Sequence, residues 1–258
     1  MPIPTSPVVL PPPVGAEDNP IATPASAGHT CQNCGVVGAG NFCQQCGQTH
    51  ATHRITVGHL LHEVAHLFTH LDKGILLTLK ELATAPGTMQ RHYLAGQRVR
   101  YQPPFSAFFV TVSVFALGQF FIKTQLLRHY GVGDDSGEYF RHYFTLLQVG
   151  LVPVYAFITW LFFRRSGYGY AEIAVVVLYS LAFALLLVLL INATRFIWPH
   201  FQTRWVELPV LVVYNTWTNF NLFPTTSRLL MLGKSLLINS ACFGVAALTE
   251  LLAVRLLT

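Results

Sequence analysis

Charge is scarce in this chain. Of its 258 residues only 10% are Asp, Glu, Lys or Arg, whereas 52% are hydrophobic and the mean hydropathy is +0.47. A soluble domain typically carries roughly 25% charged residues. This composition therefore excludes an ordinary water-soluble protein and indicates a polytopic membrane protein. Several enzyme signatures are also missing. There is no Gly-Lys-Thr phosphate loop, no G-x-S-x-G nucleophile turn and no Gly-rich dinucleotide turn after a strand. No internal repeat is visible across the apolar segments, which weighs against a transporter built from inverted halves. The net charge of +5 is spread along loops and forms no Lys/Arg cluster, so no nucleic-acid partner is expected. The start of the chain lacks the basic, apolar and small-residue order of a signal peptide. It holds instead eight of the fifteen prolines, as in Leu10-Pro11-Pro12-Pro13, and reads as a disordered or polyproline-like arm over 1–29.

Four of the five cysteines form two pairs, Cys31-Gln32-Asn33-Cys34 and Cys43-Gln44-Gln45-Cys46, each followed by glycine, Gly35 and Gly47. A two-residue gap puts both sulfurs of a pair on one side of a tight turn, and the glycine lets the backbone present its amides to them. The pattern predicts a zinc ribbon over 30–50 holding one structural ion. Two disulfides would use the same cysteines, and the choice depends on the compartment.

From Ile55 to about Ala85 apolar residues recur at helical spacing, among them Leu60, Val64, Leu67, Leu71, Ile75, Leu79 and Leu82. Pro86-Gly87 is expected to stop this helix and a shorter one to run from Met89 to Ala95. The basic Arg98-Val99-Arg100-Tyr101 then leads to Pro103-Pro104, as at a membrane interface. Five membrane spans are expected, near 104–122, 143–163, 171–192, 206–223 and 231–254. The fourth carries Glu207, Pro209, Asn215, Asn219 and Asn221 and must turn a polar face to other helices or water, or be partly re-entrant.

The basic residues set the orientation. Arg54, Lys73, Lys80, Arg91, Arg98, Arg100, Arg164, Arg165, Arg228 and Lys234 fall on one side of such a bundle. Lys123, Arg128, Arg141, Arg195, Arg204 and Arg255 fall on the other, where Asp134, Asp135 and Glu138 dilute them. The excess predicts a cytoplasmic N-terminus, and a reducing compartment favours zinc over disulfides.

Cys31 to Gln48, Arg54-Ile55-Thr56, His70-Leu71-Asp72-Lys73-Gly74, Thr78 to Leu82, Pro86-Gly87 and Tyr93 to Tyr101 form a series of short motifs. In these the chain resembles the bacterial membrane family called domain of unknown function 3667. The resemblance is close over about 31–120 and loose beyond. At Tyr170-Ala171-Glu172 the family pattern often continues with histidine, whereas Ile173 stands here, so no role of that histidine carries over. The resemblance implies a zinc ribbon joined to a multi-span domain in the bacterial inner membrane, and it implies no particular activity.

The expected fold class is therefore an all-α polytopic membrane protein of about five transmembrane helices. Cytosolic or interfacial helices over 55–102 and the small zinc ribbon precede a bundle over 103–258. Three functions are in view. The first is a non-enzymatic membrane scaffold or adaptor whose ribbon and proline-rich arm bind a cytosolic protein. The second is a small-solute or ion transporter or channel using Glu172, Glu207, Asn215 and Asn219, although these asparagines and Asn239 can equally bond between helices. The third is a zinc metalloprotease. His59, His62, His66 and His70 fall on one helix face, and His62-Glu63-Val64-Ala65-His66 matches H-E-x-x-H, but no third ligand follows at a familiar spacing. Cys242, mid-span among small residues, reads as a packing residue.

Overall fold

The computed structural model describes residues 28–58, 60, 74–131, 138–223 and 227–257. Residues 1–27 of the proline-rich arm, and His59, His62, Glu63, His66 and His70, lie outside the described residues.

The N-terminal module consists of two turns of like construction. Strand β1 (His29–Thr30) pairs antiparallel with β2 (Val37–Gly38), with Thr30 opposite Val37. Twelve residues on, Phe42 bridges Thr49 in the same sense. The described helices follow as α1 (Ile75–Thr84), α2 (Pro86–Leu94), α3 (Pro104–Tyr130), α4 (Glu138–Phe163), α5 (Tyr170–Ala193), α6 (Arg204–Leu222) and α7 (Arg228–Leu257). Short 3-10 turns extend α4 and α5 at their C-termini.

Helices α3 to α7 form a bundle in which successive members alternate in direction. At one end Phe163, closing α4, stacks on Phe223, just past α6, with ring centroids 3.8 Å apart; Lys234, early in α7, lies over the same Phe163 ring. At the other end Tyr130 of α3 donates to the Phe196 carbonyl beyond α5 (3.4 Å), and Thr203 donates to Asn192 Oδ1 (3.1 Å). Helix α5 is central. Its residues Ala171 to Tyr179, together with Ala182, are buried, as a helix apolar on every side requires.

Among the described residues three helices are long and apolar enough to cross a membrane: Pro104–Tyr130, Tyr170–Phe196 and Arg228–Ala253. Helix α6 holds only 19 residues, with Arg204 and Glu207 in its first turn and three asparagines beyond. Helix α4 extends over 26 residues.

Helix α1 ends at Thr84, directly before Pro86-Gly87 as expected, and Pro86 itself opens α2, three residues ahead of the expected start at Met89; at this first helical position its fixed φ and missing N–H cost nothing. The break falls at Ala85, whose extended φ of −149° separates α1 from α2. The described helix α1 starts at Ile75, after Gly74. Helix α2 does not lie on the surface: Met89 and Gln90 are fully buried and Tyr93 nearly so, wedged between the near ends of α5 and α6. Gly87 permits that approach, since a Cβ there would stand 2.2 Å from the Thr218 carbonyl oxygen. Gln90 Nε2 donates to the Val176 carbonyl (3.3 Å) and to Ser180 Oγ (3.1 Å), and Tyr93 meets Tyr179 edge-on at 5.4 Å. The Tyr214 hydroxyl donates to the Leu82 carbonyl (3.3 Å) and the Tyr179 hydroxyl to the Gln102 carbonyl (2.5 Å).

Candidate metal centre and bundle cavity

Each Cys-x-x-Cys-Gly turn closes in the same way. The Gly35 N–H donates to the Cys31 carbonyl and the Gly47 N–H to the Cys43 carbonyl, both at 2.9 Å. Cys31 N–H in turn reaches the Val36 carbonyl, and Cys43 N–H the Gln48 carbonyl. The glycines take φ of +76° and +75°, a region that side chains disfavour. This repeated turn brings the sulfurs of Cys31, Cys34, Cys43 and Cys46 within 4.8 Å of one another. Cys31 Sγ lies 3.6 Å from Cys46 Sγ, and Cys34 Sγ lies 3.5 Å from Cys43 Sγ. All four are free thiols. A tetrahedral ion with metal–sulfur bonds of about 2.3 Å needs sulfur–sulfur edges of about 3.8 Å, so the spacing fits one tetrahedral centre.

The electrostatics agree with that use. The Cys34 amide lowers the Cys31 thiol pKa against an opposing desolvation, and the Cys46 and Gln45 amides bring Cys43 down to about 6. At Cys34 the Val36 amide also lowers the pKa, but desolvation and the neighbouring thiols together outweigh it and push the group up to about 12. Four thiolates this close repel one another unless a cation lies among them. The set could hold a metal ion.

The ribbon is fastened to the end of the bundle. Gln48, 4% exposed, donates from Nε2 to the Gly96 carbonyl (2.7 Å), and its Oε1 accepts from the Arg98 and Val99 amides (3.1 and 3.3 Å). Arg98 Nη2 donates to the His53 carbonyl (2.6 Å). Arg54 then forms a bidentate pair with Glu172, Nε to Oε1 at 3.0 Å and Nη2 to Oε2 at 2.9 Å, and also donates to the Gly167 carbonyl. Glu172 is buried in the first turn of α5 and also accepts the Gly169 amide (2.7 Å), so both of its carboxylate oxygens are hydrogen-bonded. The Arg54 guanidinium itself is held more firmly protonated by the hydrogen bond and charge of Glu172.

The four polar bundle residues singled out in the sequence separate here. Glu172 belongs to the ribbon contact. Glu207, Asn215 and Asn219 share a cavity of about 520 Å³ between α3, α4, α5, α6 and α7. Glu207 Oε1 accepts from Asn192 Nδ2 (3.1 Å); Asn215 Nδ2 donates to Asn239 Oδ1 and Asn219 Nδ2 to Ser235 Oγ, each at 3.2 Å. Cys242 also lines this space. The residues that sequence reasoning missed are Gln48, Gln90 and the partnership of Arg54 with Glu172. Gln48 and Arg54 had a signal, since both stand in motifs shared with the resembled family; Gln90 had none.

Comparison with curated proteins and with solved structures finds no match. Residues 72–116, which comprise the approach to α1, both short helices and the first half of α3, match the model of a family described as Protein of unknown function (DUF3667), the family that the sequence motifs indicate.

Proposed function

We propose that this protein is a non-enzymatic membrane scaffold. A zinc ribbon is held against the cytoplasmic end of a five-helix bundle in the bacterial inner membrane and presents its outer face to a cytosolic protein. The observation that carries the reading is the double attachment of the ribbon, through Gln48 to the loop after α2 and through Arg54 to α5. A module bound in this way has a fixed position on the membrane, as an adaptor requires. Its outer face leaves Val37 65% and Phe42 60% exposed, more apolar surface than so small a module needs to show water.

Zinc is the ion that a set of four thiolates in tetrahedral array selects in a reducing compartment. Five crossings are supported by helix length. At 1.5 Å per residue α4 extends about 39 Å and α6 about 28 Å, against roughly 30 Å of hydrocarbon. The alternation of α3 to α7 puts Arg164, Arg165, Arg228 and Lys234 at the ribbon end, the side that the excess of positive charge makes cytoplasmic.

A second reading, passage of a small solute through the bundle, has the cavity shared by Glu207, Asn215 and Asn219 in its favour. Against it, α2 and Gln90 fill the near end of α5 and α6, so a path would require their displacement. One experiment separates the two. In cells, Val37→Asp with Phe42→Asp is expected to abolish cross-linking between ribbon and partner and to reproduce the deletion phenotype, with zinc retained. Glu207→Gln and Asn215→Ala are expected to be silent. The reverse pattern would favour transport.

A further inference from the structure

The bundle cavity is left without a role by the scaffold reading, and its shape is specific. On α5 its wall is the stripe Val176, Ser180, Ala184 and Val188; on α6 it is Glu207, Leu211, Asn215 and Asn219. Each stripe advances about 18 Å at 1.5 Å per residue. A volume of about 520 Å³ spread over that length makes an elongated slot wide enough for a hydrocarbon chain. Most of the lining is aliphatic or aromatic. Leu208 and Ala247 line the slot yet remain exposed, so it opens sideways between α6 and α7 towards the lipid phase.

The inner end differs in chemistry. Asn239 is only 5% exposed, and its Oδ1 is occupied by Asn215, but its buried Nδ2 meets no hydrogen-bond partner. Buried polar groups are paired in native structures, and this orphaned donor belongs to a residue that lines the slot. Among the described residues the charged members of the lining, Arg204 and Glu207, stand at the opposite end, Glu207 about 12 Å from Asn215 along α6 and Arg204 a turn farther. An ionised head beside the amides would therefore be buried without a counter-charge.

We propose that this slot binds a single-chain lipid with an uncharged head, whose carbonyl or hydroxyl oxygen meets Asn239 and whose chain runs past Leu211 to leave beside Leu208. The inference is independent of the scaffold reading. It is tested on the full-length protein in lipid nanodiscs with a long-chain monoacylglycerol bearing a photoreactive group on its chain. Cross-links are expected on Leu208, Leu211 and Ala246. Asn239→Leu is expected to lower the labelling at least tenfold. Ala184→Phe, which fills the slot without touching the amides, is expected to do the same, so the test stands even where the asparagine variant fails to fold. The same chain presented as an ionised fatty acid is expected to label at least tenfold less. Labelling unchanged by Ala184→Phe, cross-links confined to outward residues such as Leu229, or equal labelling by the fatty acid would each overturn the proposal.

Discussion

Cys31 and Cys43 stand twelve residues apart, and the chain around each makes the same turn, with nearly the same glycine φ and the same pattern of amide-to-carbonyl hydrogen bonds. That repetition is local, set within six residues of each cysteine, which is why the clustering of the four sulfurs is legible from spacing alone. Arg54 and Glu172, 118 residues apart, could not. Glu172 reads in sequence as a membrane acid and thus as a candidate on a solute path, whereas in the fold it is the anchor for the ribbon. No local pattern distinguishes the two uses, because the partner comes from another part of the chain. At this scale the account predicts one zinc per chain in the purified full-length protein, and less than a tenth of that in a Cys31→Ser, Cys43→Ser double variant. Zinc undiminished in that variant would transfer the ion to another site, of which the histidine row is the nearest candidate in sequence.

Among the elements, α2 is the least foreseeable. Its sequence, Pro-Gly-Thr-Met-Gln-Arg-His-Tyr-Leu, has little apolar character and no clear stripe, so nothing in it announces burial. It is buried because other helices make room for it: Gly87 lies against α6, and Gln90 satisfies its amide donors on α5. The long helices were legible because burial in lipid demands apolar residues all round, a requirement that each segment meets by itself. The place of α2 depends on complementarity between segments, which a single sequence does not display. Helix α6 lies between these cases. Its asparagines mark a helix with polar contacts, and these are visible in the sequence, as is Asn239, which Asn215 meets on α7; Ser235, the partner of Asn219, is not. Because the packing at position 87 leaves no space for a side chain, Gly87→Ala is predicted to destabilise the protein by about 1–3 kcal/mol through overpacking. In thermal denaturation in detergent it should melt well below the parent, while Gly150→Ala, where an added Cβ meets open space, should melt within a degree or two of it.

For the whole molecule, the matched family segment lies between the two parts that give the chain its character. It begins just before α1 and ends within α3, so it includes the loop that receives Gln48 and the helix that fills the near end of the bundle. The matched segment is thus the joint itself, with the four-cysteine module on one side and the long apolar helices on the other. Alternation of α3 to α7 then places the loop at Ser166 beside the ribbon and the loop at Gln202 on the opposite face, and both residues are exposed. Labelling Ser166→Cys and Gln202→Cys, each in a Cys242→Ser background, with a membrane-impermeant maleimide before and after permeabilisation of cells decides on which side of the membrane the ribbon stands. With a cytoplasmic ribbon, Gln202→Cys is expected to react in intact cells and Ser166→Cys only after permeabilisation; reaction of Ser166→Cys in intact cells would put the ribbon outside the cytoplasm and overturn the scaffold reading.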